Sequence, residues 1–219
     1  MSLAAHAHSR ETRTPPYYLD DGLADLACVM VPGWHGSGPD HWQRRWLATL
    51  TAPVVVEQAD WERPTVDDWT ATLDRTVRAL TRPTLLIAHS LGCITVAHWA
   101  ARYRSDKVIG ALLVAPADVE RPGAPEALRP FAPIPRQPLP FPSLVIGSSN
   151  DPSASVERAA DFAATWGGSF ICLKGAGHIN VASGHRDWVE GRELLGNWAR
   201  SLRRQAASAG AAAQLFKPA

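Results

Sequence analysis

Three residues whose side chains can together carry out acyl transfer each follow a separate apolar run of the sequence: Ser90, Asp151 and His178. A serine hydroxyl is a weak nucleophile, so an imidazole must accept its proton during attack and return it to the leaving group. A carboxylate is needed to fix the tautomer of that imidazole and to stabilise its charged form. The sequence therefore predicts a nucleophile, a general base and an orienting acid.

Ser90 lies in a pattern typical of a nucleophile at a sharp turn. Leu85-Leu-Ile87 predicts a buried strand, and Cys93 to Tyr103 predicts a helix. The connecting Ala88-His-Ser-Leu-Gly92 resembles the G-x-S-x-G nucleophile elbow, with Ala88 in place of the first glycine. Both positions must be small because strand and helix nearly touch beside the serine. An ordinary strand-to-helix turn with a capping serine is the alternative.

The acid and the base each have a rival elsewhere in the chain. Asp151 precedes Pro152 and could serve only to start a helix, while Asp118 also follows a predicted strand. His178 lies in a Gly-Ala-Gly-His loop, and His185 is the alternative base. We favour Asp151 and His178, which each come just after a predicted strand, where the ligands of an open α/β sheet bind. Asp118 and His185 remain the alternatives.

The backbone N–H groups of Trp34 and Leu91 are the predicted donors to the oxyanion of a tetrahedral intermediate. Leu91 begins the helix after the serine, and Trp34 follows the first predicted strand. Trp34 and a later proline-rich segment indicate a narrow, apolar pocket that prefers short acyl groups. The predicted pocket residues are Trp34, His35, His89, Phe131 and Ile134.

The other histidines do not indicate a metal site. His35 and His41 could bind a metal together with His178, but no Cys, Asp or Glu ligand set occurs at metal spacing. We therefore predict neither a metal nor a cofactor. His89 and His98 flank the serine, and packing or hydrogen bonding is the role we expect for both.

Predicted strands and helices alternate through most of the chain. The strands are 26–31, 54–57, 85–87, 108–114, 143–147 and 169–173, and the helices are 41–50, 66–80, 93–103, 153–166 and 187–203. Asp40 and Thr65 are the predicted N-caps of the first two helices. Such alternation favours an α/β fold, with a mostly parallel sheet of about six strands and helices on both faces.

The chain of 219 residues suits one domain, which we place at 21–204. Residues 1–20 are polar and are predicted to be disordered, and the alanine-rich tail 205–219 is predicted to fray. The segment from Ala115 to Pro142 holds nine of the 18 prolines. Strands bound it on both sides, so we expect an ordered excursion rather than a linker.

Composition limits the possible partners and the compartment. The formal net charge is +1 and there is no basic run, which argues against nucleic-acid binding. No apolar run is long enough for a membrane helix, and the N-terminus lacks the pattern of a secretory signal. Cys28, Cys93 and Cys172 are odd in number and lie in or beside apolar segments. Buried free thiols and a cytoplasmic location are expected.

The chain order Ser, Asp, His is that of α/β-hydrolases. Further motifs are Pro32-Gly-Trp34, Asp40-His-Trp42, Asn150-Asp-Pro152 and Gly175-Ala-Gly-His-Ile-Asn180. With these, residues from about 27 to 199 resemble the small α/β-hydrolases that include retinoblastoma-binding protein nine and bacterial YdeN-like proteins. The resemblance implies a compact serine hydrolase without a large lid domain, with its triad on Ser90, Asp151 and His178.

Two functions follow from these observations. The first is a serine hydrolase that cleaves a small ester, thioester or amide through an acyl-enzyme on Ser90. The second is a binding or scaffold protein that retains a triad without significant turnover and presents its proline-rich segment to a protein partner. The triad favours the first. The sequence does not indicate the oligomeric state.

Overall fold

The structure, a computed structural model, describes residues 22–215 and contains six β-strands in that range. In chain order they are Ala27–Val31 (β1), Pro53–Val55 (β2), Thr84–His89 (β3), Val108–Val114 (β4), Ser143–Ser148 (β5) and Ser169–Leu173 (β6). They form one sheet in the order β2-β1-β3-β4-β5-β6, and each pair of neighbours is parallel. The predicted α/β fold with a six-stranded sheet is confirmed.

Helices cover both faces of this sheet. They are Trp42–Trp46 (α1), Val66–Ala79 (α2), Leu91–Arg102 (α3), Val156–Thr165 (α4) and Val189–Leu215 (α5). Residues of α2, α3 and α4 share one buried apolar cluster, and those of α1 and α5 share the other. Successive residues of β1 and β3 contribute to the two clusters in turn, as the two-residue period of a strand requires.

The first helix begins differently from the prediction, in which Asp40 is its N-cap. His41 is the N-cap, and its Nδ1 accepts a hydrogen bond from the Gln43 N–H over 3.2 Å. The Asp40 carboxylate instead pairs with Arg45 and Arg186, at 3.1 and 2.6 Å. Two arginines within reach outcompete the weak local bond that a capping carboxylate would make.

Two further expectations need correction. Cys28 and Cys93 are buried, but Cys172 is exposed, because β6 lies at the edge of the sheet. The last helix continues past its predicted end at Arg203 to Leu215, since its alanine-rich sequence has high helix propensity.

The predicted disordered segment 1–20 lies outside the described residues. The domain boundaries 21–204 and the frayed tail stay predictions.

The segment between β4 and β5 is ordered and packs on the domain. It contains a short 3₁₀ helix, Glu126–Phe131, and its Leu128, Phe131 and Ile134 are buried. The Leu139 N–H donates to the carbonyl of Trp166, just beyond α4, over 3.0 Å. Within residues 22–215, no helix has an apolar stretch long enough to cross a bilayer.

Candidate active site

Ser90 lies at the turn between β3 and α3 in a strained backbone conformation. Its φ of 55° and ψ of −122° lie outside the regions that residues with a side chain normally adopt. Hydrogen bonds hold this turn in place: the Ser90 N–H donates to the Val114 carbonyl at 3.0 Å, and the Ser90 carbonyl accepts from Cys93 and Ala117. Strain of about 1–3 kcal/mol persists only where the surrounding structure enforces it.

The small residues around the serine are required by close contacts. A Cβ atom on Gly92 would lie 2.2 Å from the Val31 carbonyl oxygen and 2.7 Å from that of Pro32. A Cβ atom on Gly33 would lie 2.8 Å from the Cβ of Ser90. The loop after β1 therefore touches the nucleophile directly, and Gly33 makes this approach possible.

Ser90, His178 and Asp151 form a continuous hydrogen-bonded chain. The Ser90 Oγ lies 2.9 Å from His178 Nε2, and His178 Nδ1 lies 2.9 and 3.0 Å from the two carboxylate oxygens of Asp151. The Asp151 side chain is 3% exposed and that of His178 is 16% exposed. Nδ1–H donates to the carboxylate, which leaves Nε2 free to accept the serine proton.

The loops that carry the acid and the base are joined by hydrogen bonds. Asn150 Oδ1 accepts from the Gly177 N–H at 2.7 Å, and Ser149 Oγ accepts from the Gly175 N–H at 3.0 Å. These two contacts fix the position of the histidine loop relative to Asp151. The sequence analysis noted Asn150 only within a family motif and missed this function, because the contacts join loops after two different strands.

The alternative acid, Asp118, and the alternative base, His185, contact residues outside the triad. The two carboxylate oxygens of Asp118 each lie 3.3 Å from a nitrogen of Arg158. His185 Nδ1 lies 3.1 Å from the hydroxyl of Ser183, two residues away. Neither side chain hydrogen-bonds to Ser90 or His178 among the described contacts, so the geometry favours Asp151 over Asp118.

Two further histidines lie beneath the triad. The His89 Nε2–H donates to the backbone carbonyl of His178 over 2.9 Å, and the rings of His89 and His41 have centroids 4.8 Å apart. Burial, followed by the charge of His178, lowers the pKa of His41 to about 4. The same two causes hold the pKa of His89 well below its usual range. Both rings are therefore neutral near pH 7.

These buried histidines predict a loss of stability in mild acid. An unfolded histidine has a pKa near 6.5, so below that pH the unfolded state binds more protons and the free energy of unfolding falls. For His41 we expect a loss of about 2 kcal/mol between pH 7 and pH 5, and the buried His89 should add to the loss in the same direction. Urea unfolding at several pH values measures it. His41→Asn keeps a capping oxygen and should reduce the pH slope.

His35→Asn is the matched control for that measurement. The His35 side chain is half exposed, and its backbone has a φ of 65°, a conformation that asparagine tolerates. This variant should keep the pH slope of the original chain. An unchanged slope in His41→Asn would contradict the assignment of a buried neutral ring to His41.

The predicted oxyanion donors lie beside the nucleophile. Leu91 is the first residue of α3, and Trp34 follows Gly33, which packs against Ser90. Among the hydrogen bonds of residues 22–215, neither the Trp34 nor the Leu91 backbone N–H has an acceptor. The indole N–H of Trp34 donates to the Glu62 carbonyl at 3.1 Å, which holds this loop in place.

A cleft of about 240 Å³ opens onto Ser90 and His178. It is lined by Trp34, Ser90, Ala117, Asp118, Arg121, Pro125, Leu128, Ser153 and His178. Trp34 is the one predicted pocket residue among them. The remaining walls come mainly from the segment after β4. Of the residues that this segment contributes, the sequence analysis named only Asp118, and only as an alternative acid.

The other four predicted pocket residues do not line this cleft. His35 points outward and contacts Glu62 at 3.0 Å, and His89 is buried beneath the triad. Phe131 and Ile134 are fully or almost fully buried, because apolar side chains of the proline-rich segment complete the core on the side of α2 and α3. His98 is also buried, and its ring donates to the Phe131 carbonyl at 2.9 Å.

The proposed metal ligands do not come together. Among the described residues, no group of three or more His, Cys, Asp or Glu side chains has an arrangement that could hold a metal ion. The rings of His41 and His178 have centroids 4.8 and 4.9 Å from that of His89, whereas His35 points outward to Glu62.

Comparisons with known proteins agree with this geometry. The sequence pattern described as serine hydrolase matches residues 28–197. A YdeN-like hydrolase from Pectobacterium atrosepticum is 30% identical, with a TM-score of 0.74, and the match covers 85% of this chain and 97% of that protein.

Two more distant proteins are also similar to this chain. The hydrolase YdeN from Bacillus subtilis is 26% identical over 89 residues, which span 39% of this chain and only 47% of that relative. Its crystal structure covers 78% of this chain and 98% of its own, with a TM-score of 0.61 at 19% identity. The thioesterase RedJ from Streptomyces coelicolor shares the fold at 18% identity, with a TM-score of 0.57 and coverage of 83% and 92%.

Proposed function

Because this chain belongs to the serine hydrolase family, in its YdeN-like group, we propose that it hydrolyses a small ester, thioester or amide through an acyl-enzyme on Ser90. The observation that carries the proposal is the hydrogen-bonded chain from Ser90 through His178 to Asp151 at a strained turn. A strained turn lowers the stability of the fold. Such a turn is therefore expected to persist mainly where function requires it.

The proposed reaction has two steps. His178 Nε2 removes the proton from Ser90 as the oxygen attacks the substrate carbonyl, and the imidazolium is stabilised by Asp151. The oxyanion accepts hydrogen bonds from the Leu91 and Trp34 N–H groups, and one such donor is typically worth about 2.7–4 kcal/mol. The imidazolium then protonates the leaving group. In the second step His178 takes a proton from a water molecule that attacks the acyl-enzyme, and the resulting imidazolium returns a proton to Ser90 Oγ as the carboxylic acid leaves.

The size and lining of the cleft favour short acyl groups. About 240 Å³ is below the roughly 300–1,000 Å³ of pockets for drug-sized ligands. Trp34, Pro125 and Leu128 supply apolar walls on which a few methylene groups can pack. A long acyl chain would have to leave the cleft and would gain little further contact.

A series of p-nitrophenyl esters tests this proposal. We expect kcat/KM to be highest for acyl chains of about two to six carbons and to fall by about tenfold or more for chains of ten or more carbons. The release of p-nitrophenol is followed at 405 nm. Fastest turnover of the longest chains would contradict the short-chain preference, and no turnover of any member would contradict the proposed function.

A further inference from the structure

Arg121 places a positive charge in the catalytic cleft, where none of the described carboxylates forms an ion pair with it. Its side chain lines the cleft together with Ser90 and His178. Its Nε–H donates to the Ser153 carbonyl over 3.2 Å, and Nη1 contacts the carbonyl of Pro122 over 3.4 Å. Within residues 22–215 no carboxylate forms an ion pair with this guanidinium.

The arginine is held in a fixed position relative to the triad. The Ser153 carbonyl accepts from both Arg121 Nε and the Asp118 N–H, and the Ser153 N–H donates to Asp151 Oδ1 over 2.8 Å. The loop that orients the acid therefore also anchors the guanidinium. Nε is occupied by this anchor and one N–H of Nη1 contacts the Pro122 carbonyl, so Nη2 and the second N–H of Nη1 are the donors that remain for a ligand.

The neighbouring acids are already paired with other groups. Asp118 faces Arg158 with both oxygens, at 3.3 Å each. Glu120 accepts from the Ile134 N–H over 2.8 Å with one oxygen and contacts Arg158 with the other. Both acids therefore find their described cationic partner in Arg158, and neither forms a described ion pair with Arg121.

We propose that Arg121 binds a carboxylate of the substrate, so that the protein acts on esters, thioesters or amides that carry an acidic group a few bonds from the scissile carbonyl. This inference rests on the proposed function. A guanidinium presents parallel N–H donors that match the two oxygens of a carboxylate. The apolar walls of the cleft would contact the methylene groups between that carboxylate and the reacting carbonyl.

Two pairs of esters test for this substrate class. The first compares the p-nitrophenyl monoester of adipate with its neutral methyl ester, which places the charge on the acyl side. The second compares the butyryl ester of 4-hydroxybenzoate with that of 4-hydroxybenzamide, which places it on the leaving group. We expect the acidic member of at least one pair to have about tenfold higher kcat/KM, mainly through a lower KM.

Variants at Arg121 identify the group responsible. Arg121→Gln should make kcat/KM about equal for the acidic and the neutral ester. Arg121→Lys should retain part of the preference for the acidic ester. Arg129→Gln is the matched control, since Arg129 lies on the same segment, is exposed and pairs with Glu126 at 3.3 Å. Equal kcat/KM for acidic and neutral esters in both pairs, or a preference that survives Arg121→Gln, would overturn the inference.

Binding separates this inference from the proposed function. Ser90→Ala protein is titrated with the same four esters and followed by NMR, so that no turnover is needed. We expect the acidic member to bind about tenfold more tightly and Arg121→Gln in that background to remove the difference. Tighter binding of the acid with no hydrolysis in the original chain would contradict the proposed function alone. Equal binding of acid and neutral ester would reject the role of Arg121.

Discussion

Replacing Ser90 by alanine should lower kcat/KM for short p-nitrophenyl esters by a factor on the order of 10⁴–10⁶. The change removes the only oxygen that lies 2.9 Å from His178 Nε2 in the described contacts, so no acyl-enzyme can form. The oxyanion donors and the cleft remain, and they account for a residual rate above that in water. Steady-state kinetics on purified protein measure the loss.

A fluorophosphonate probe provides a second measurement of the same change, because it reacts with the activated serine itself. We expect the original chain to be labelled and Ser90→Ala not to be. Ser208→Ala, at an exposed position of α5, is the matched control and should be labelled normally. Thermal unfolding of both variants confirms that each is folded. Labelling of Ser90→Ala would place the reactive nucleophile elsewhere.

The second large effect is expected at the orienting acid. Asp151→Asn should lower kcat/KM by a factor on the order of 10³–10⁴, because an amide no longer holds the imidazole in the tautomer with its proton on Nδ1. The Asp151 carboxylate contacts His178 through both oxygens and is 3% exposed, so water cannot replace it. Steady-state kinetics on purified protein across pH 5–9 measure the loss.

Asp118→Asn is the control for that experiment. Asp118 follows a strand, lines the cleft and pairs with Arg158, but it has no described contact with His178. A partly exposed ion pair is worth up to about 1 kcal/mol, so this variant should change kcat/KM by less than about tenfold. A large loss in Asp118→Asn together with near-normal activity in Asp151→Asn would identify Asp118 as the acid.

The architecture was readable from the sequence because its causes are local. Apolar runs mark β4 and β6 with the bounds that the structure has, and the apolar face after Thr65 marks α2. The small residues around Ser90 indicate a close approach beside the serine, and in the structure Gly92 lies against the carbonyl oxygens of Val31 and Pro32 at the end of β1. Because all strands are parallel, the residues that follow them meet at one edge of the sheet.

The composition of the cleft depends on contacts that no local pattern contains. Phe131 and Ile134 were expected in the pocket because they are apolar residues of the proline-rich segment, yet both are buried in the core. Arg121 and Leu128, from the same segment, line the cleft instead. The path of this segment is set by long-range packing against α3 and α4, which sequence periodicity does not specify.

Residue types and their positions after the strands were sufficient to predict a serine, a histidine and an acid at one edge of a parallel sheet. In the folded chain Asp118 pairs with Arg158 on α4, whereas Asp151 contacts His178, so the geometry favours Asp151 as the acid. The same pairing left Arg121 without an acidic partner in the described contacts. Charged side chains from distant segments form ion pairs according to their distance in the folded chain. The order of residues along the sequence does not determine that distance.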